Sequence, residues 1–259
     1  MPVVFRVDGM DRARVRANVV YRTAGDRRLE LDVYTPATAG ARPAVVLIHG
    51  GPLPEGTRAK DWTIFVDYGR ILAASGFTAV AFNHRFYGAG ALDEAAGDVA
   101  AAVEHVRGHA SELDVDPDRL ALWVFSGGGP FVTAPLREAW PFVRAIVAYY
   151  AALDLQVPPP GAASGISDET RRRFSALAGL AAGERTPPVL VARAGLDNPW
   201  LNASIDRFVQ EAIARNVPLE LLTHPAGHHG FDVLDDGERS REIIARTLDF
   251  LKQRLRPRP

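Results

Sequence analysis

The sequence predicts an α/β fold, a mostly parallel central sheet with helices on both faces. Five short runs, Ala44–Ile48, Thr78–Phe82, Leu120–Phe125, Ile146–Tyr150 and Val189–Ala194, are apolar with hardly a polar break. A strand buried on both faces reads this way, because neither side of its pleat meets water. Amphipathic helical stretches separate the runs, which is the rhythm of βαβ crossovers. Glycine-rich turns close several of them. At 259 residues, 47% of them hydrophobic, the chain can bury such a core as one domain over residues 1–259. No internal repeat or linker divides it.

Taken in order, Val15–Tyr21 and Leu29–Tyr34 predict an antiparallel hairpin around Gly25-Asp26, with one wet face because the second run alternates strictly. A Pro/Ala/Gly loop over residues 36–43 leads to the first buried strand. Ile64, Phe65, Tyr68, Ile71 and Leu72 lie at helical spacing within Trp62–Ser75, and Gly76 supplies a C-terminal cap. Leu92, Ala96, Val99, Val103 and Val106 draw one apolar stripe along a second helix. Asp114–Asp118 reads as a turn, and a helix is expected directly after Ser126. Residues 154–188 break the rhythm. Pro158–Pro160 and Gly161 begin a loop there, and Asp168–Ala182 fits a helix rich in arginine and alanine. The stretch reads either as a small lid inserted over the site or as a crossover helix with long flanking loops. Ile205, Phe208, Val209, Ala212 and Ile213 then mark a helix, Leu219–Thr223 a half-alternating strand, and Ile244, Leu248, Leu251 and Leu255 one face of a final helix.

Composition narrows the chemistry. A net charge of −1 gives no footprint for nucleic acid or an anionic membrane surface. The chain holds no cysteine, so disulfides, thiolate metal sites and a cysteine nucleophile are excluded. Its absence suits a reducing compartment, and a cytoplasmic protein is expected. No signal peptide is recognisable at the N-terminus, and no apolar run approaches the roughly 20 residues of a membrane span. The partner expected is a small molecule, without metal or cofactor, and a homodimer is compatible with this reading.

In an open parallel sheet, ligands bind beyond the carboxyl ends of the strands. Four non-helical stretches converge there: His49-Gly-Gly-Pro52, Ser126-Gly-Gly-Gly129, Ala194-Gly-Leu-Asp197 and His224-Pro-Ala-Gly-His-His-Gly-Phe231. A serine at an abrupt strand-to-helix turn exposes its hydroxyl, and glycines beside it allow close packing. Serine is a weak nucleophile at neutral pH. It needs a base to take its proton, and that base needs a carboxylate to fix its tautomer. Serine, aspartate and histidine occur here in the chain order Ser…Asp…His.

With these motifs the chain resembles the dienelactone-hydrolase-like and prolyl-oligopeptidase-like serine esterases of the α/β-hydrolase superfamily, over about Val15 to Leu255. The resemblance implies a central sheet of about eight strands, mostly parallel, with helices on both faces and an N-terminal antiparallel hairpin. It implies Ser126 as nucleophile, Asp197 as acid and His229 as base, the last within Gly227-His-His-Gly-Phe231. The oxyanion hole would take the N–H of Gly127 and one from the His49-Gly-Gly turn, Gly51 first and Gly50 as fallback, since Pro52 has none. Gly50, Phe125 and Tyr87 are candidate substrate-binding residues. The usual elbow, G-x-S-x-G, reads here Val124-Phe-Ser-Gly-Gly128, with valine in place of the first glycine. The cysteine nucleophile of dienelactone hydrolases proper is missing, so the resemblance carries fold and mechanism rather than that substrate.

Competing assignments stay open at this point. His228 rivals His229, Asp232 rivals Asp197, and Asp197 fits an N-cap before Pro199. His224, His228, His229 and Asp232 fit no trusted metal-ligand spacing. His84, Arg85 and Phe86 lie, with Tyr87, on a loop that either lines the pocket or is solvated. The functional reading is an esterase. The alternatives are an aminopeptidase or amidase, with Glu55 or Asp61 binding the amine, and a hydrolase fold kept as a binding protein with a blocked elbow.

Overall fold

The computed structural model describes residues 1–156, 166–181 and 186–257. Its strands are β1 (Arg14–Ala24), β2 (Arg27–Thr35), β3 (Arg42–Ile48), β4 (Thr78–Phe82), β5 (Val115–Phe125), β6 (Val143–Tyr149), β7 (Val189–Ala194) and β8 (Leu219–His224). They form one sheet in the order β1-β2-β4-β3-β5-β6-β7-β8. The hairpin β1–β2 is antiparallel and adds to β4 antiparallel. From β4 to β8 every neighbour is parallel. The helices are α1 (Thr63–Ala74), α2 (Leu92–Gly108), α3 (Thr133–Glu138), α4 (Asp168–Arg173), α5 (Pro199–Ala214), α6 (Phe231–Leu234) and α7 (Glu238–Arg254).

Strand alternation sorts the core into two layers. Leu120, Leu122 and Val124 of β5 face one layer with α2, α3 and α5, while Ala121, Trp123 and Phe125 face the other with α1 and α7. Both faces of β5 are buried over Leu120–Phe125, as that unbroken apolar run requires.

Along the main chain the structure departs from the sequence expectations in three places, and on the hairpin it departs in one more: β2 has no wet face beyond Glu30, because Lys60 covers Asp32 and α1 covers Tyr34. Residues 115–118 are strand, not turn: Arg42 of β3 pairs with Val115, and a register shift follows before Ala44 meets Leu120. Pro117 sits in that irregular, half-exposed start of β5, where a missing N–H costs the ladder nothing. After Ser126 the chain forms a 3-10 segment, Ser126–Val132, before the short α3. Three glycines weaken helix there and Pro130 removes a donor. The third departure is in the predicted helix from Asp168, which Ser167 caps by accepting the Thr170 N–H. It ends at Arg173, where the Ser175 N–H turns to the Arg172 carbonyl at 3.3 Å and the Ser175 hydroxyl lies 3.0 Å from the Arg171 carbonyl. Pro158–Pro160, Gly161 and Ala182 lie outside the described residues.

Buried charges fasten the hairpin. Lys60 is 1% exposed, and its Nζ lies 2.9 Å from both oxygens of Asp32 on β2 and from Asn18 Oδ1 on β1. Asn18 takes a left-handed backbone, φ 58, at the β1 irregularity, and its N–H donates to Asp32. On the other face, Asp98 of α2 is fully buried and pairs with Arg22 of β1 and Arg85. Lys60→Met leaves Asp32 buried without its cation. Urea denaturation should show a loss of about 3–5 kcal/mol, whereas an exposed pair such as Arg137–Glu138 should yield under about 1 kcal/mol.

Candidate active site

Ser126 follows the last residue of β5 and holds φ at 52°, a left-handed conformation that costs an L-residue about 1–2 kcal/mol. The strain persists because the surrounding backbone leaves no alternative. A Cβ at residue 127 would lie 2.1 Å from the Gly51 carbonyl oxygen, one at 128 would lie 2.8 Å from the His49 oxygen, and one at 129 would lie 2.2 Å from the Ala152 oxygen. The three glycines thus let the elbow press between the ends of β3 and β6. Val124 fits because it points into the core opposite Ile48 and Ala148, within the strand ladder.

Among the described residues, the amides of Gly51 and Gly127 donate to no protein acceptor. Gly51 N lies 3.0 Å from the place a Gly127 Cβ would take, so two free donors flank Ser126. Behind them His49 Nδ1–H donates to the Gly50 carbonyl at 2.6 Å, and Nε2 accepts from the His84 amide at 3.4 Å. The two imidazoles stack at 3.6 Å. Burial drives His49 down to about 4 and holds His84 well below the ordinary histidine range.

Asp197 and His229 arrive on the loops after β7 and β8. Gly195 N–H donates to His224 and Leu196 N–H to Gly227, both at 2.8 Å, which locks the two loops together. His229 Nδ1 lies 2.8 Å from Asp197 Oδ2. The helix α5 is capped by Asn198, which accepts the Trp200 N–H, not by Asp197. The His229 ring packs on Tyr150, 4.7 Å between centroids. Tyr150 follows β6, whose Tyr149 pairs with Phe125, so His229 and Ser126 stand over adjacent strand ends. The Ser126 hydroxyl makes no hydrogen bond among the described residues.

The rival groups are engaged elsewhere. His228 pairs with Asp235 at 2.8 Å, and His224 Nε2 lies 3.1 Å from Ser240 Oγ. Asp232 accepts hydroxyl protons from Tyr68 and Tyr150 at 2.7 and 2.8 Å, and burial raises its carboxyl. No group of three or more ligating side chains among the described residues could hold a metal ion. Glu55 pairs with Arg27, and Asp61 with Lys60 and Arg58; neither carboxylate lines the cavity beside Ser126.

A cavity of about 290 Å³ opens beside Ser126 and Gly127. Phe86, Leu92, Leu155, Ile166, Trp200 and Leu201 supply apolar walls. Phe125 does not line it, because strand alternation sends its ring to the opposite layer, against Phe65 and Tyr68. Tyr87 turns outward to Arg27, and its neighbour Phe86 takes the wall. Gly50 packs directly against Ser126, where its own Cβ would come within 2.8 Å of the serine Cβ. Sequence reading passed over Arg171, which also lines the cavity. Its one signal was Phe174 three residues on, marking the inward face of a short helix.

Residues 31–134 match the BD-FAE family model, an α/β-hydrolase-fold esterase family. No curated protein matches the chain. Among solved structures it is similar to a thermophilic esterase from the planctomycete Thermogutta terrifontis in a butyrate-bound form. The identity is 22%, the TM-score 0.76, and 96% of this chain and 98% of that one are covered. Esterase 2 of that organism phosphoramylated by tabun gives a TM-score of 0.75 at 22% identity over 96% and 98% of the chains. The same esterase phosphonylated by cyclosarin gives 0.74 at 23% over 95% and 96%. This chain has the α/β-hydrolase fold.

Within that hydrolase fold, Gly127→Ala should forfeit both stability and any activity, because backbone rather than a flexible side chain meets the new methyl. Denaturation and ester turnover measured together check this. The buried histidines set a pH dependence. Below pH 6.5 the unfolded chain binds protons that folded His49 refuses until about pH 4, so stability is full above that window and falls as pH drops through it. Urea midpoints at pH 7 and pH 5 should differ more for the wild type than for His84→Gln.

Proposed function

We propose that the protein is a serine hydrolase of small carboxylic esters, with Ser126 as nucleophile, His229 as base and Asp197 as the acid that orients it. The observation that carries the reading is the elbow: a serine at φ 52° at the carboxyl end of a central strand, beside two unengaged amides and an apolar cavity. The Asp197–His229 hydrogen bond supports it, since Nδ1–H donation to the carboxylate leaves Nε2 as the basic nitrogen.

In this mechanism Ser126 Oγ attacks the ester carbonyl as His229 Nε2 takes its proton. The carbonyl oxygen becomes an oxyanion between the N–H groups of Gly127 and Gly51, each worth about 3–4 kcal/mol of barrier. His229 returns the proton to the leaving alcohol, and the acyl group stays on Ser126. Water, deprotonated by the same imidazole, then attacks the acyl-enzyme and releases the acid. The Ser126–His229 hydrogen bond forms when substrate arrives, since catalytic contacts of free enzymes commonly tighten only in the complex.

Leu155, Ile166 and Arg171 all line the cavity, which supports the lid reading for residues 154–156, 166–181 and 186–188 of that stretch, within one domain; the rest of it lies outside the described residues. Among the described residues no helix is long and apolar enough to cross a membrane. The lack of cysteine suits a cytoplasmic protein.

The wild type should hydrolyse short-chain p-nitrophenyl esters, and Ser126→Ala should lose at least about a thousandfold of kcat, given the size of nucleophile effects. A fluorophosphonate probe, chosen because the similar esterase reacts with organophosphates, should label the wild type and not Ser126→Ala. Equal turnover or equal labelling of the two proteins would overturn the assignment.

A further inference from the structure

The cavity beside Ser126 contains a charge that its apolar walls do not explain. Arg171, on α4, is 7% exposed and lines the cavity together with Ser126 and Gly127. Its guanidinium has five N–H donors. Among the described residues the acceptor it meets is the Leu155 carbonyl, at 3.5 Å, the outer limit of a hydrogen bond. Among the described residues no carboxylate pairs with it.

Its surroundings show how unusual this is. Lys60, the other buried cation among the described residues, touches Asp32 and Asp61. Arg173, two residues along the same helix, pairs with Asp93 at 2.6 Å, and Arg207 pairs with Asp154 at 2.7 Å. Burying a charge is expensive unless an opposite charge or a full set of hydrogen bonds compensates it. Arg171 has neither from the described residues, and it sits where a ligand would supply them. A guanidinium in such a place matches a carboxylate with two parallel N–H···O bonds.

We infer that the substrate is a small ester that itself carries a carboxylate, bound by Arg171 within the cavity while its ester carbonyl lies at Ser126. The inference rests on the ester-hydrolase reading of the same site and names its substrate class. Phe86, Leu92 and Leu201 cover the apolar part of such a molecule, and Arg171 fixes its charged end. The carboxylate belongs to the acyl part, as in a half-ester of a dicarboxylic acid, or to the alcohol part. Both present the same anion to the guanidinium.

The test is binding to Ser126→Ala, in which the proposed chemistry is already off. Calorimetric titration with monomethyl glutarate places the carboxylate on the acyl side, and 4-acetoxybenzoate places it on the alcohol side. Methyl valerate and phenyl acetate are the uncharged counterparts. At least one carboxylate should bind tenfold or more tightly than its counterpart, and whichever does identifies the side. Adding Arg171→Met should reduce that preference at least tenfold, and Arg171→Lys should restore part of it. In the protein with Ser126 present, the ratio of kcat/KM for the preferred carboxylate over its counterpart should fall equally with Arg171→Met. A purely structural role for Arg171 would weaken charged and uncharged ligands alike, leave the ratio unchanged and overturn the inference. So would the absence of carboxylate preference, or of any saturable carboxylate binding. Hydrolysis of uncharged esters that disappears with Ser126→Ala would leave the esterase reading standing even then. Equal turnover by Ser126→Ala would instead remove the nucleophile while leaving the anion site to its own binding result.

Discussion

Everything at the carboxyl end of this sheet depends on backbone meeting backbone. Gly127, Gly128 and Gly129 each fill a gap that excludes a single methyl group, against the end of β3 on one side and the end of β6 on the other. That contact keeps Ser126 in its left-handed conformation and brings the Gly51 amide next to that of Gly127. The elbow is followed by a 3-10 segment that runs into α3, and the Gly127 amide stands at its start beside the Gly51 amide. The buried His49 and His84 stack supports the same turn from below, with His49 holding the Gly50 carbonyl.

A second pair of loops meets this framework from the far strands. The hydrogen bonds between residues 195–196 and residues 224 and 227 join the loops after β7 and β8, which carry Asp197 and His229. Beneath His229 lies Tyr150, tied to Asp232 along with Tyr68. Asp232 is thus occupied with shaping the floor of the site, which explains why a carboxylate so near the histidine in sequence is not its partner in space.

Much of the fold was legible because periodicity reports burial directly. The hairpin, the buried strands and the helices α1, α2, α5 and α7 fall within a few residues of where the apolar pattern put them. Less legible was whatever depended on competition between neighbours. The start of β5 looked like a turn because Asp114–Asp118 has turn composition, yet pairing with Arg42 decided it. The helix after Ser126 gave way to glycine and proline, and the helix at Asp168 stopped at Arg173 with Ser175 bonded to the turn before it. Within the site, chain order and strand ends pointed to the four loops, and the resemblance to α/β-hydrolase esterases singled out Asp197 and His229, which the structure pairs, and the two amides beside the elbow. Pocket walls were a different matter. Phe125 and Phe86 differ in where they point, not in kind, and only the elbow geometry and loop path separate them. Arg171 was hidden in a run of three arginines, of which composition cannot say which one turns inward.

The charges that anchor the hairpin give this sheet an unusual response to heat. Lys60 with Asp32 on one face and Asp98 with Arg22 and Arg85 on the other attach β1 and β2 through desolvated ions as well as through apolar contact. The cost of stripping water from ions falls as temperature rises, while the return on burying apolar surface levels off. Warming therefore shifts the balance of attachment toward the ionic clamps, at the flank of the sheet where an uncovered strand edge would invite another chain to pair. The hairpin thus covers the β4 edge through contacts whose ionic share grows as temperature rises.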